Sequence, residues 1–373
     1  MRPGASGCVK GSPKCAKHTS GYFQTVMNVH GSGVFRIAGR HRCALAAVIP
    51  AMAAGWMLLG GCMGAPQKIV STDFSMNTII TITVYDRSRA KGEASIRKAF
   101  DEIERIEHVL EPLKGDGDLK RINAGPAGVW WEMNPDIRAV LERSGHFHDL
   151  TGGAFDPTIG PVKWLWDFEN GGKIPDPGEL AGALRLVDLG KVEIRGNRFR
   201  FAEPGMKLDF GGIAKGYAVD RMAEVLRRNG IKSALVNAGG NIITIGRKPG
   251  NKEWTIGVRH PRKDDAILVE PAPRIAVATS GDYERFFIEN GVRYHHILDP
   301  KTGRPVQRCI SATVWTDTAI DADALSTAIF VLGPKKGVEL AKRLGNVETL
   351  IFYEKDGRLE TAMSPGVIGK VKL

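Results

Sequence analysis

The chain has 373 residues, of which 43% are hydrophobic and 25% charged, and this composition is typical of an ordinary globular protein. Its formal charge is +11, but residues 1–62 hold seven Lys or Arg and no Asp or Glu, which leaves 45 basic against 41 acidic residues in the remainder. So balanced a remainder argues against a general nucleic-acid-binding surface.

The basic N-terminal segment has the pattern of a targeting signal. An apolar run over residues 43–59 is followed by Gly60, Gly61 and Cys62, and three arginines precede it: Arg36, Arg40 and Arg42. A charged start, an apolar middle and small residues at the end predict a signal peptide. The ending Leu-Gly-Gly-Cys resembles a bacterial lipoprotein signal, in which Cys62 is lipidated after cleavage.

A transmembrane helix is the alternative, but the apolar run is short for a bilayer and Pro50 interrupts it. We therefore expect residues 1–62, in which Met27 is an alternative start, to be an extension and a removed lipoprotein signal. Residues 63–373 are then a single domain, with two sub-lobes as an alternative. Export would leave this domain anchored through Cys62 on the extracytoplasmic side of the membrane.

Cysteine usage excludes a disulfide framework in the mature chain. The five cysteines are at positions 8, 15, 43, 62 and 309. Once the signal is removed and Cys62 is lipidated, Cys309 has no partner, so neither a disulfide nor a cysteine metal site is expected.

Hydrophobic periodicity predicts a mixture of helices and short strands. Alternation over residues 68–85 predicts a strand, and helical spacing predicts helices over residues 92–113, 135–151, 213–228 and 334–344 and from about residue 321. Further strands are predicted over residues 233–237, 242–246 and 254–258 as an antiparallel meander, over residues 274–278 and 311–315, and in a hairpin turning at residues 356–357. Because strict βαβ alternation is missing, an α+β fold with antiparallel sheets and helices on their faces fits best.

A glycine-rich segment precedes the predicted helix over residues 213–228. Asp209 is followed by Gly211 and Gly212, and Lys215 lies in the first helical turn. Glycines let a ligand approach the backbone, and the amide groups and dipole of a helix N-terminus favour an anion such as phosphate. An ordinary turn before a helix is the simpler alternative.

A second polar cluster opens the helix that begins near residue 321. Asp323, Ser326 and Thr327 are spaced i, i+3 and i+4, so their oxygens share one helix face. Hard oxygen ligands of this kind suit Mg²⁺. Helix capping by Asp321 or Asp323 explains the same residues without a metal.

Two adjacent histidines, His295 and His296, precede an Asp-Pro-x-Thr-Gly turn at residues 299–303. On a strand end their side chains face opposite ways. An imidazole beside a bound diphosphate could act as general base toward an attacking hydroxyl, although a surface or packing role is the alternative.

Six motifs in a fixed order resemble the ApbE family of FAD:protein FMN transferases, over residues 76–361. They are Gly152-Gly153-Ala154-Phe155-Asp156-Pro157-Thr158, Asp209-Phe210-Gly211-Gly212-Ile213-Ala214-Lys215-Gly216-Tyr217-Ala218-Val219-Asp220, Asn237-Ala238-Gly239-Gly240-Asn241, Thr279-Ser280-Gly281-Asp282-Tyr283, His296-Ile297-Leu298-Asp299-Pro300-Lys301-Thr302-Gly303-Arg304-Pro305 and Asp323-Ala324-Leu325-Ser326-Thr327. The resemblance implies an ApbE-like fold and the activity of that family.

The resemblance also implies roles for particular residues. Magnesium is expected on the Gly212 carbonyl together with Asp323, Ser326 and Thr327, and His296 is expected near the transferring phosphoryl group. FAD is expected to be held by Met76, Ala154, Phe155, Asp156, Asp209, Lys215 and the backbone of Leu298. One departure is Leu113, which stands where relatives often carry a tyrosine, so flavin affinity or orientation is expected to differ.

The implied reaction is attack by a Thr or Ser hydroxyl of an acceptor flavoprotein on the FAD pyrophosphate, which leaves AMP and a phosphoester-linked FMN. The expected partners are FAD, Mg²⁺, an acceptor such as a subunit of a membrane redox complex, and the membrane through the lipid anchor. An FAD pyrophosphatase, in which water is the nucleophile, remains an alternative. A non-catalytic FAD-binding lipoprotein is a second one, and it predicts loss of the metal ligands, which this chain retains.

Overall fold

The computed structural model describes residues 65–263, 265–269 and 274–372. The predicted signal and Cys62 lie outside these ranges. Within them, no helix combines the length and the apolar character needed to cross a membrane.

The described chain contains helices and strands throughout. The helices are α1 (Arg89–Leu110), α2 (Asp118–Ala124), α3 (Pro135–Thr151), α4 (Gly160–Trp166), α5 (Pro177–Leu184), α6 (Ala214–Arg228), α7 (Ala319–Leu332) and α8 (Pro334–Leu344). The strands are β1 (Gln67–Ser75), β2 (Thr78–Asp86), β3 (Trp131–Glu132), β4 (Val192–Arg195), β5 (Arg198–Phe201), β6 (Ala234–Ala238), β7 (Asn241–Ile245), β8 (Ile256–Arg259), β9 (Ala266–Val269), β10 (Ala276–Gly281), β11 (Phe286–Glu289), β12 (Val292–His295), β13 (Leu298–Asp299), β14 (Arg304–Pro305), β15 (Ser311–Thr316), β16 (Glu348–Lys355), β17 (Arg358–Met363) and β18 (Val371–Lys372).

The principal sheet has eight strands in the order β1-β2-β6-β7-β10-β15-β16-β17, and every neighbouring pair is antiparallel. Helices α1, α6 and α7 pack on one face, where the main apolar core includes Ile82, Ile103, Met222 and Leu325. The predicted α+β fold with antiparallel sheets and helices on their faces is therefore confirmed.

The opposite face of the principal sheet packs against a three-stranded sheet in the order β18-β9-β8. Val277 and Trp315 point into this second core, whereas their neighbours Ala276 and Val314 belong to the first. Successive strand residues face opposite ways, so both faces of the central strands are buried. The predicted meander is correct for β6 and β7 but wrong for β8, which leaves the principal sheet.

The predicted single strand over residues 68–85 is wrong, because the chain reverses at Met76 and Asn77. Both residues have positive φ, 49° and 59°, and they connect β1 and β2 as a two-residue hairpin turn. This conformation matches the twist of paired strands, and Gly or Asn usually supplies it. Methionine at the first turn position carries no such signal, so the strand that alternation marks over residues 79–84 was extended back to residue 68.

Helix boundaries follow the capping residues closely. Asn134 accepts a hydrogen bond from the amide of Asp136 to cap α3, and Gly152 ends this helix in the left-handed conformation at φ 62°. The predicted bounds of α3, α6 and α8 are thus confirmed to within a residue or two. Helix α7 begins two residues earlier than predicted, because Thr318 caps it by accepting from the amide of Asp321.

Candidate functional site

Helices α6 and α7 meet at their N-terminal turns, where the polar clusters of the sequence converge. The amide of Gly216 in α6 donates to Oδ2 of Asp323 in α7, at 2.9 Å. A Cβ at position 216 would lie 2.2 Å from the carbonyl oxygen of Ala319, so only glycine allows this approach. The Asp323 carboxylate is buried, with 4% of the residue exposed.

This hydrogen bond leaves the Gly212 carbonyl available to a ligand. In a regular helix the amide of residue 216 would donate to the carbonyl of residue 212. Here it donates to Asp323 instead, and no hydrogen bond from the described part of the chain reaches the Gly212 oxygen. A Cβ at position 212 would lie 3.2 Å from Oγ1 of Thr327, so the glycine turn and α7 are in contact.

Three hydroxyl groups line the same face of α7. Ser326 donates to the carbonyl of Asp323, and its Oγ lies 2.9 Å from that of Ser280 at the end of β10. Oγ of Ser280 also lies 3.3 Å from Oγ1 of Thr327. Because the Ser326 hydroxyl donates its proton to the Asp323 carbonyl, Ser280 must be the donor to Ser326. Thr327 is then the donor to Ser280, and both lone pairs of the Thr327 hydroxyl remain free. Ser326 is fully buried and retains a single lone pair.

A partly buried ion pair lies beside the glycine turn. Nζ of Lys163 in α4 lies 2.7 and 2.8 Å from the two carboxylate oxygens of Asp209, and the amide of Gly211 donates to the same carboxylate at 2.8 Å. Burial opposes ionisation of Asp209. The charge and hydrogen bonds of Lys163 outweigh burial and hold the pKa of Asp209 below its ordinary value.

Three cations, Arg285, Lys163 and Lys215, act electrostatically on His296. It follows β12 directly, is half-buried, and its amide donates to the carbonyl of Arg285 at 3.1 Å. Burial first, and then the charges of Arg285 and Lys163, hold its pKa well below the ordinary value; Lys215 contributes in the same direction. The imidazole is therefore neutral at neutral pH. Its neighbour His295 faces the core, with Nε2 2.6 Å from the carbonyl of Val306.

The remaining residues expected to hold FAD lie in two environments. Phe155 borders the glycine turn, since a Cβ on Gly212 would lie 3.1 Å from its ring, and Ala154 beside it is buried. Asp156 accepts from the amide and the hydroxyl of Thr158. The described contacts of Met76 and Leu298, by contrast, are with apolar cores rather than with the polar cluster.

Comparison with known proteins identifies the family. The model of the ApbE family matches residues 76–351. The FAD:protein FMN transferase of Treponema pallidum is 33% identical over 84% of this chain and 92% of its own length, and that of Haemophilus influenzae is 33% identical over 82% and 92%. The chain belongs to the ApbE family.

Solved ApbE structures share the architecture. The apo form of the flavinyl transferase ApbE from Pseudomonas stutzeri superposes with a TM-score of 0.73 at 30% identity, covering 82% of this chain and 96% of its own. The ApbE protein from Thermotoga maritima superposes with a TM-score of 0.71 at 35% identity, covering 79% and 97%. The described chain thus has an ApbE fold.

Three residues of this ApbE site were not singled out by sequence reasoning. Ser280 and Arg285 belong to the polar segment over residues 279–285, in which the sequence does not show which side chains face the site. Ser280 also lies in one of the six motifs. Lys163 carries no signal, because α4 has only seven residues and its partner Asp209 is 46 positions away.

Two further residues, Trp166 and Leu113, and the type of the expected metal site can be compared with the structure. Sequence alone leaves the role of Trp166 open between flanking the flavin and packing. It is fully buried and stacks between Phe168 and Tyr294, with ring centroids 5.9 and 5.8 Å away, so it serves packing. Leu113 follows α1 and is 41% exposed. Within the described ranges, no three His, Cys, Asp or Glu side chains group as a metal site, and the expected magnesium site, with one carboxylate, hydroxyls and a carbonyl, is not of that type.

Proposed function

We propose that this chain is a magnesium-dependent FAD:protein FMN transferase, which moves FMN from FAD to a Thr or Ser hydroxyl of an acceptor flavoprotein and releases AMP. The observation that carries the proposal is the junction of α6 and α7, where the Gly212 carbonyl, Asp323 and Thr327 come together beside the cations that act electrostatically on His296. The names of the relatives support the same activity.

The residues present fit a magnesium ion. The Gly212 oxygen and Oδ1 of Asp323 have no hydrogen-bond partner among the described residues, and Thr327 retains both lone pairs. These are the hard oxygen donors that Mg²⁺ prefers, with one carboxylate charge. Ser326 fits a supporting position better than a direct one, because its hydroxyl already has two partners. When bound, the ion would neutralise charge on the diphosphate.

The diphosphate of FAD would meet two uncommitted cations. Lys215 and Arg285 both lie close enough to His296 to depress its pKa, and neither makes a salt bridge with a described residue. Lys163 also contributes charge, although its ammonium is paired with Asp209. Binding the diphosphate would offset part of this positive charge.

In the proposed step the acceptor hydroxyl oxygen attacks the phosphorus of the FMN half. The phosphorus–oxygen bond to the bridging oxygen breaks, and AMP leaves with that oxygen. A neutral His296 has a free lone pair, so it can take the hydroxyl proton as general base. The depressed pKa keeps the imidazole unprotonated before the step.

The first test is the mass of a candidate acceptor domain after incubation with residues 63–373, FAD and Mg²⁺, with an EDTA control. A gain of one FMN that requires the metal supports the transferase. Free FMN and AMP, released from FAD without any gain in acceptor mass across a panel of candidates, would instead identify the pyrophosphatase.

We also propose that residues 63–373 act as one exported domain held at the membrane by a lipid on Cys62. The support is the order of charged, apolar and small residues before that cysteine. Replacing Cys62 with serine is expected to move the protein from the membrane fraction to the soluble one. Retention of the serine variant in the membrane would contradict the anchor.

A further inference from the structure

Two carboxylates join α6 and α7 in opposite directions. Asp323 of α7 accepts the amide of Gly216 in the first turn of α6. One turn later, Asp220 of α6 accepts the amides of Ala319 and Ile320 at 2.8 and 2.9 Å, which are the first two residues of α7. Each helix therefore supplies the carboxylate that satisfies N-terminal amides of the other.

We propose that Asp220 is a positioning residue for the metal site, which sets the place of Asp323 and Thr327 relative to the Gly212 carbonyl. The inference rests on the proposed function, because it assumes that these oxygens hold Mg²⁺. Asp220 itself lies on α6, away from the ligand oxygens of α7, and acts through the two amides that it holds.

The geometry explains why one carboxylate can have this effect. The predicted ligands come from two elements far apart in sequence, the turn before α6 and the first three turns of α7. A metal ion with strict octahedral preferences tolerates little error in their separation. Asp220 binds α7 with both oxygens, and Gly216 allows the backbones to touch, so the two elements are fixed as a unit.

The environment of Asp220 opposes its ionisation. Burial raises its pKa to about 6, against the opposing effect of the two backbone hydrogen bonds. A half-buried carboxylate with no cationic partner in a salt bridge among the described residues needs those amides and the helix dipole to remain ionised. Such a residue is a poor choice for packing alone.

The test is Asp220→Asn, compared with Asp321→Asn. The asparagine can accept from only one amide and presents its own N–H group to the other. The control, Asp321, lies in the first turn of α7, the turn that Asp220 holds. Its carboxylate pairs with Arg143 at 2.6 Å and accepts no α6 amide, although its charge acts on Asp220 across the junction. Both variants remove one negative charge near the same helix terminus, so the difference between them reports the link between the helices.

The readout is equilibrium binding of FAD, followed by quenching of flavin fluorescence while Mg²⁺ is titrated. We expect the Mg²⁺ concentration at half-saturation to rise at least tenfold in Asp220→Asn and less than twofold in Asp321→Asn. Saturating Mg²⁺ should restore FAD affinity in Asp220→Asn, which a general loss of folding would not allow. If this variant does not fold, Asp220→Ser removes the same carboxylate with a smaller side chain.

Equal half-saturation in Asp220→Asn and the wild type, or equal shifts in both variants, would overturn the inference while the metal site stands. FAD binding by the wild-type protein that is indifferent to Mg²⁺ and EDTA would overturn the metal assignment and this inference with it.

Discussion

At the scale of single residues, some charged side chains of the site form an ion pair and others have no salt-bridge partner. Lys163 and Asp209 form a partly buried ion pair, whereas Lys215 and Arg285 make no salt bridge with a described residue. Buried pairs contribute little net stability, but breaking one leaves an uncompensated charge. The pair is thus suited to shape the glycine turn, and the other two cations are suited to bind an anion.

Asp323 is expected to matter for activity more than for folding. Asp323→Asn keeps an acceptor for the Gly216 amide but removes the charge that would face Mg²⁺. We expect FMN transfer to fall by about 100-fold, because loss of a single electrostatic contact at a reacting phosphoryl group has effects of this order. The measurement is the initial rate at saturating FAD, with the thermal unfolding midpoint as control; a rate within threefold of wild type would contradict the assignment.

The protonation of His296 is expected to set the acid limb of the pH profile. The depressed pKa of His296 owes more to Arg285 than to any other charge, after burial. Removing that charge in Arg285→Met favours the imidazolium, so the pKa rises toward its ordinary value and activity is lost at higher pH than in the wild type. The check is kcat/KM for FAD as a function of pH.

Arg293→Met is the matched control, because Arg293 lies on the same hairpin as His295 but is not among the charges that depress the pKa of His296. Its acid limb should coincide with that of the wild type. An unmoved limb in Arg285→Met would show that another group titrates.

At the scale of elements, the distance between α6 and α7 depends on Gly216. In Gly216→Ala the new Cβ would lie 2.2 Å from a backbone oxygen of α7, which cannot rotate away as a side chain can. We expect a loss of about 1–3 kcal/mol in the free energy of unfolding, typical of overpacking, despite the higher helix propensity of alanine.

Gly145→Ala in α3 provides the comparison for this change. Its Cβ would meet nothing closer than Leu189, at 3.9 Å, so we expect stabilisation by up to about 1 kcal/mol. Urea denaturation of both variants measures the difference. Equal effects would show that the two helices separate without cost.

At the scale of the whole molecule, the proposed binding site for FAD and Mg²⁺ lies where several elements meet. The turn before α6, the first turns of α7, the end of β10 and the segment after β12 all contribute to the site. A ligand that contacts all of them is lost on unfolding, so it must stabilise the native state by mass action.

We therefore expect FAD at 100 times its dissociation constant, in the presence of Mg²⁺, to stabilise the protein by about 2.7 kcal/mol. The increase in the thermal midpoint should disappear with EDTA, and Asp323→Asn should show little of it. Calorimetry measures both, and a full increase in EDTA would show that FAD binds without the metal.

The sequence alone predicted several helices and the family of this protein. Periodicity and caps located α3, α6 and α8, because these signals act within one or two helical turns. The six motifs and their order indicated the family. Periodicity failed at Met76 and Asn77, because the methionine gives no turn signal where the chain reverses.

Only the tertiary structure decided how the separate motifs combine. It pairs Lys163 with Asp209, places Ser280 between the hydroxyls of α7, and turns the Gly216 amide toward Asp323 so that the Gly212 carbonyl is free. These contacts join residues between 46 and 107 positions apart. No local pattern encodes such distances, because they arise from how the helices pack on the sheet and on each other.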